Sequence, residues 1–235
     1  MSKLSEIWAK ICRKWIKIRL QPIRVFCFHQ VSETFDASTM YREDWTQIEQ
    51  FKRNIERLKA YYTLISLEEA ERKLKHDIVR GKKYAVITAD DGWESVQNII
   101  PWLAEQRIPV TLFVNPAYLK GEEVRENGKN LLAADELKQM LNTYDLVTIA
   151  SHGWNHTLCT EMNDDEFLES VARSQDFLKQ YSRYLPFYAY PCGRHSGKQN
   201  AILCENGITP VYMDGMRNYV FDNVIHRELL DGLNL

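Results

Sequence analysis

Two short stretches of this chain carry residue types that can do chemistry together. Tyr84-Ala-Val-Ile-Thr-Ala-Asp-Asp-Gly-Trp93 is an apolar, strand-forming run that ends abruptly in two adjacent carboxylates and a glycine. Further along, Leu146-Val-Thr-Ile-Ala-Ser151 is a second such run and ends in His152-Gly-Trp-Asn-His156. If neighbouring strands deliver both ends to one rim of a sheet, Asp91, His152 and His156 supply one oxygen and two imidazole nitrogens to a divalent metal. Asp90 is then left beside the metal as a base. Three protein ligands leave coordination positions for water and substrate, the arrangement of a hydrolytic rather than a structural site. Two imidazoles and a carboxylate suit zinc, and the same set with open positions also accepts iron, cobalt or nickel.

The elements that must position these groups follow from periodicity. Strand-forming runs are expected at residues 23–29, 62–66, 84–89, 110–114, 146–151, 187–190, 208–212 and 224–226. Helices are expected at 44–61, 94–106, 133–142 and 199–205, with a late start or kink at Pro101. Ser66-Leu-Glu-Glu69 and Asn163-Asp-Asp-Glu166 have the form of capping boxes that open two more helices. Residues 30–40 and 120–130 read as surface loops. Alternation of strands and helices implies a parallel sheet, and the fold class expected is α/β, a distorted parallel (β/α) barrel of seven or eight strands. In such a barrel reactive groups gather at the C-terminal strand ends, where His29, Asp90, Asp91, His152, Tyr190 and His226 are expected to fall.

Bulk properties restrict the function. The chain has 235 residues, 45% of them apolar, enough for one large core, and no linker or repeat divides it. Residues 23–235 are therefore expected to form one domain. A net charge of −2 gives no reason to expect nucleic acid as a partner. Five cysteines, an odd number with no CxxC pair, suit a reduced, cytoplasmic chain, and neither an export signal nor a membrane-spanning apolar stretch is evident. Residues 1–22 have a pattern of their own. Leu4, Trp8, Ile11, Trp15 and Ile18 recur at helical spacing among Lys3, Lys10, Arg13, Lys14, Lys17 and Arg19. This basic amphipathic helix is expected either to pack its stripe on the barrel or to make peripheral contact, through residues 1–20, with the inner face of a membrane.

At the two reactive stretches the sequence resembles the polysaccharide deacetylases, metal-dependent carbohydrate esterases with a distorted parallel barrel. Thr88-Ala-Asp-Asp-Gly92 resembles their Thr-Phe-Asp-Asp-Gly motif, and His152-Gly-Trp-Asn-His156 is similar to their His-Ser/Thr-x-x-His. Tyr188-Ala-Tyr-Pro-Cys-Gly193 lacks the arginine and tyrosine of the common Arg-x-Pro-Tyr and is closer to the Phe-Ala-Tyr-Pro-Tyr-Gly of a variant branch. The resemblance implies Asp90 as base, Asp91, His152 and His156 as ligands of a metal, usually zinc, and a backbone N–H near Cys192 facing the oxyanion. It also implies a histidine as general acid. His226, in Val224-Ile-His-Arg-Glu228, is the expected one, with His29 and His195 as rivals. In the variant branch this region reads Leu-Pro-Arg, which would make His226 merely the residue before an arginine. His29, Trp93, Trp154, Tyr190, Pro191 and Cys192 form the expected substrate-binding set, the aromatic ones by stacking on sugar rings. The activity implied is removal of N-acetyl groups from N-acetylhexosamine units of a glycan or glycan precursor. The alternatives are a metal-free glycan-binding domain, and a deacetylase of a non-sugar amide or O-acetyl ester.

Overall fold

The computed structural model describes residues 21–76, 81–123 and 131–232. The expected amphipathic helix falls on residues that lie, up to residue 20, outside those described. In chain order the strands are β1 (Ile23–Phe28), β2 (Gln30–Ser32), β3 (Trp45–Gln47), β4 (Thr63–Leu64), β5 (Tyr84–Ala89), β6 (Val110–Val114), β7 (Val147–Ser151), β8 (Tyr184–Ala189), β9 (Thr209–Met213) and β10 (Ile225–Leu229). The helices are α1 (Ile48–Tyr61), α2 (Leu67–His76), α3 (Ile100–Glu105), α4 (Pro116–Leu119), α5 (Ala134–Thr143), α6 (Asp164–Leu178) and α7 (Gly197–Glu205). Seven strands close into a parallel barrel in the order β1, β10, β9, β8, β7, β6, β5 and back to β1. No helix among the described residues is long and apolar enough to cross a membrane.

Side chains alternate along every barrel strand between the interior and an outer layer. Val25, Val86, Phe113, Ala150, Ala189, Val211 and Ile225 fill the interior. Phe26, Ile87, Leu112 and Ile149 pack outward against Phe51 and Leu58 of α1, Leu103 of α3 and Leu137 of α5. Both faces are thus covered, which is why these strands read as near-continuous apolar runs.

The barrel is distorted in two places. β1 takes one edge of β5 from end to end, so β4 and β6 share the other, β4 pairing at Tyr84 and Ala85 and β6 from Ile87 upward. On the far side β1 meets β10 only at Phe26↔Glu228 and Cys27↔Leu229. Below those pairs the strands part and Asn218 fills the seam. Ile23 N–H donates to its backbone oxygen, its side-chain amide donates to the carbonyls of Ile23 and His226, and its Oδ1 accepts from His226 N–H. Arg24 crosses the seam to Glu228 at 2.6 Å.

Several local expectations change. The helix expected from residue 44 begins at Ile48, because Trp45–Gln47 pairs with Gln30–Ser32, in the stretch expected to be a loop, as a second small parallel sheet. Trp45 Nε1–H donates to Ser32 Oγ and Thr46 Oγ1–H to Asp231, ties between residues distant in sequence that periodicity does not report. The helix expected at 94–106 is a 3₁₀ turn, Glu94–Asn98, followed by α3, whose first turn holds Pro101 where its missing N–H is harmless. Both capping boxes open helices: Ser66 Oγ accepts from Glu69 N–H, and Asn163 and Glu166 cap each other. β10 runs on to Leu229, so His226 stands at its beginning rather than its end.

Candidate active site

β5 delivers two adjacent carboxylates in opposite directions. Asp90 continues the strand, its N–H donating to Phe28 O, and its side chain enters the barrel. At Asp91 the backbone turns left-handed, with φ of 70°, and Gly92 follows at 73°. A Cβ on Gly92 would lie 3.2 Å from Val114 Cγ1, so glycine meets both the sign of φ and the close approach. The turn carries the Asp91 carboxylate back over the rim, where Oδ1 lies 3.3 Å from His152 Nε2 and 3.1 Å from His156 Nε2. Its Oδ2 accepts from Trp93 Nε1–H at 2.9 Å.

These three residues fit a metal. His152 Nδ1 lies 2.9 Å from Ala189 O, which can only accept, so Nδ1 carries a hydrogen and Nε2 is the ring atom turned to Asp91. Nε2 and the carboxylate oxygen, 3.3 Å apart, can both turn to one cation. The separations are close to the edge of a tetrahedron whose centre lies about 2.0–2.1 Å from each ligand. The hydrogen bonds from His152 to a carbonyl and from Trp93 to the carboxylate are of the kind that would orient such ligands.

Asp90 has a different partner. Both of its oxygens accept from Arg227 of β10, at 2.7 and 2.8 Å, and Arg227 also donates to Thr88. Burial pushes the Asp90 carboxyl up, but the Arg227 charge, His152 and the Arg227 hydrogen bonds reverse that and hold it at about 2. Arg227 is itself 1% exposed and lies over the Phe113 ring. Sequence reasoning left it out of the site. The signal available was strand parity, since a residue beside an outward-facing His226 must face inward, where a buried guanidinium needs an anion.

His226 does not reach the cleft. Its ring points out of the barrel, Nδ1 2.7 Å from Asp214 Oδ2 and Nε2 3.5 Å from Asp222 Oδ2. Two causes act together: His226 sits low on β10 and on the outer face. His195 is also outside, stacked on Tyr212 at 4.0 Å, and burial lowers its pKa, partly offset by Asp214. His29 does line the cleft, 4.0 Å from Asp44 and within 4.8 Å of Asp90, in a group that includes Cys27. That group is not a second cation site: Arg227 already neutralises Asp90, and burial pushes the Cys27 thiol up.

The expected sugar-stacking residues serve other purposes. Trp93 is buried and bound to Asp91, and Trp154 is covered by Arg173, 3.7 Å from its ring. Tyr190 borders the cleft, but its ring lies parallel to Phe167 and its hydroxyl donates to Asn200. Pro191 is buried beneath the rim, and Cys192, at φ of 53°, lines the cleft beside Gly193. The cleft, about 660 Å³, is also walled by Tyr41, Glu43, Tyr118, Met213 and Leu229. None of these is adjacent to a reactive motif, so nothing local in the sequence marks them.

The chain is thus a parallel barrel that gathers an aspartate, two histidines and a second, arginine-held aspartate at its C-terminal rim. A family model described as polysaccharide deacetylase matches residues 77–211, more than half of the chain, and the chain belongs to that family of carbohydrate deacetylases. No curated protein matches the chain. Solved structures that resemble it include IcaB from Ammonifex degensii, with a TM-score of 0.76 at 20% identity over 90% of this chain and 92% of that one. Another is the deacetylase PplD from Streptococcus pyogenes in complex with acetate, TM-score 0.76 at 19% identity over 91% and 94%. A third is a de-N-acetylase from Aggregatibacter actinomycetemcomitans, TM-score 0.70 at 17% identity over 89% and 95%. At these identities the likeness is one of fold.

Proposed function

We propose that this chain removes N-acetyl groups from N-acetylhexosamine units of a glycan or glycan precursor, with a divalent metal, zinc first among candidates, held by Asp91, His152 and His156. The observation that carries the reading is the meeting of Asp91 Oδ1 with the Nε2 atoms of both histidines at the mouth of the cleft. When bound, the metal supplies an acidified water and polarises the acetyl carbonyl, which makes even a strongly stabilised carboxylate an adequate proton acceptor. Asp90 is that acceptor, and Arg227 fixes its plane and keeps it ionised before each turnover. His29 gives a proton to the departing amine, which is too basic to leave otherwise. Its support is position: it lies on the same cleft, within 4.8 Å of Asp90, with Asp44 4.0 Å from its Nδ1. Cys192 and Gly193 line the cleft, and since the Gly193 N–H is bound to Tyr190 O, the Cys192 N–H is the proposed oxyanion donor.

Elemental mass spectrometry on the purified full chain, beside Asp91→Ala and His152→Ala, tests the metal. Near-stoichiometric metal in wild type alone, together with acetate release from N-acetylhexosamine oligomers, is the expected result. Faster release from an aryl acetate or a simple amide would replace the sugar reading with a broader esterase or amidase. Residues 1–20 are proposed to add peripheral membrane contact, on the strength of their apolar stripe and cations. Unchanged sedimentation with anionic vesicles after their deletion would refute that.

A further inference from the structure

One turn holds the whole backbone of the metal-ligand loop. Between β6 and α4, Asn115 donates through Nδ2 to the carbonyls of both His152, at 2.5 Å, and Gly153, at 3.2 Å. Ala117 N–H donates to Trp154 O at 3.0 Å, and the Tyr118 hydroxyl donates to Asn155 O at 2.8 Å. Four consecutive carbonyls, from residue 152 to residue 155, are thus bound by Asn115, Ala117 and Tyr118, and His152 N–H is bound by Val114 O. The next residue, His156, has a φ of 62°, so its imidazole reaches Asp91 only if the preceding peptide planes stay as they are.

We infer that Asn115 and Tyr118 are positioning residues for metal binding: they template the loop that carries His152 and His156, and Tyr118 does so while forming part of the cleft wall. The Asn115 amide is oriented for this purpose. Its Oδ1 is buried and accepts nothing from the described residues, whereas the reverse orientation would set that oxygen against two carbonyls. A residue kept for packing would not leave an acceptor stranded in order to hold two carbonyls of one loop. Tyr118 also joins the cleft wall to the metal loop, so contact with a ligand there passes directly to the peptide before His156.

The inference rests on the proposed metal site, and calorimetric titration of metal-free full-length protein with zinc separates the two. Wild type, Asp91→Ala, Tyr118→Phe and Asn115→Ala are compared, each with thermal unfolding of its metal-free form. Tyr118→Phe removes one hydroxyl and keeps the ring. It is expected to weaken zinc binding about tenfold, in the range typical of lost outer contacts, while the metal-free melting temperature falls by no more than about 2–4 °C, the cost of one lost hydrogen bond. Asn115→Ala is expected to lose more affinity and to melt lower. Wild-type zinc affinity in Tyr118→Phe, with binding abolished in Asp91→Ala, overturns the positioning role and leaves the metal site standing. The same fall in metal-free melting temperature with unchanged affinity in Tyr118→Phe also overturns it, since that is the mark of a purely structural hydroxyl. Absence of zinc binding in wild type overturns the metal site and the inference with it.

Discussion

His152 and His226 are both buried histidines carried by barrel strands, and they face opposite ways. His152 follows the last residue of β7 and has inward parity, so its ring meets Asp91 over the cleft. His226 is the second residue of β10 and has outward parity, so its ring meets Asp214 and Asp222 on the outside. The contrast extends to their neighbours. At the β5 and β7 corner one carboxylate oxygen meets the Nε2 atoms of two histidines, three donor atoms gathered closely enough to share a cation. At the β9 and β10 corner the two ring nitrogens of a single histidine face two separate carboxylates, those of Asp214 and Asp222. Residue type and burial are the same at both corners, and it is height on the strand and parity that separate a candidate ligand from a structural ion pair.

The largest effect that would sharpen this contrast is at Asp91. Asp91→Ala or His152→Ala is expected to lower acetate release about a thousandfold or more, given the several kcal/mol that a Lewis acid contributes. Next comes Arg227→Met, which leaves the Asp90 charge buried without its partner and is expected to cost about 3–5 kcal/mol in urea unfolding. The Asp90→Asn, Arg227→Met double variant should recover much of that stability and none of the activity. A His29→Gln change is expected to reduce kcat about a hundredfold, the usual scale for a lost proton donor, with metal content unchanged. The smallest effect belongs to His226→Gln. Turnover should stay within about threefold of wild type, and loss of its contact with Asp214 should cost about 1 kcal/mol, or about 2–4 °C in melting temperature. A hundredfold fall in kcat for His226→Gln with normal His29→Gln would break the contrast and return the acid role to β10.

Much of this was legible because the decisive features are local. The strand run into Asp90 and Asp91, the run into His152, both capping boxes and the strand–helix alternation each occupy a few consecutive residues, and the barrel follows from them. What escaped was set by partners far away in sequence. Asp90 meets an arginine 137 positions later, and no local pattern announces that pairing. Asp90 and Asp91 are neighbours in sequence, and only the fold gives them separate partners, Arg227 for Asp90 and the two histidines for Asp91. Trp93 and Trp154 look like sugar platforms beside their motifs because sequence gives proximity and not burial. The β2 and β3 pair, between an expected loop and an expected helix, was hidden for the same reason: a three-residue strand is visible only through its partner.

The Asn218-filled seam between β1 and β10 bears on how the molecule is made as much as on its shape. One edge of β1 is satisfied when β5 arrives, but the other stays open until β10 is in place, and Arg24 meets Glu228 across 204 residues of chain. Ring closure is therefore the most non-local event in folding this barrel and is expected among the slowest. Until it happens the unfinished sheet presents two unpaired strand edges, β1 and whichever strand was added last, both suited to pairing with another copy. Loss of β10 would accordingly yield an open, adhesive sheet rather than a smaller barrel, and Asn218, with no chemistry to perform, guards the last joint to close.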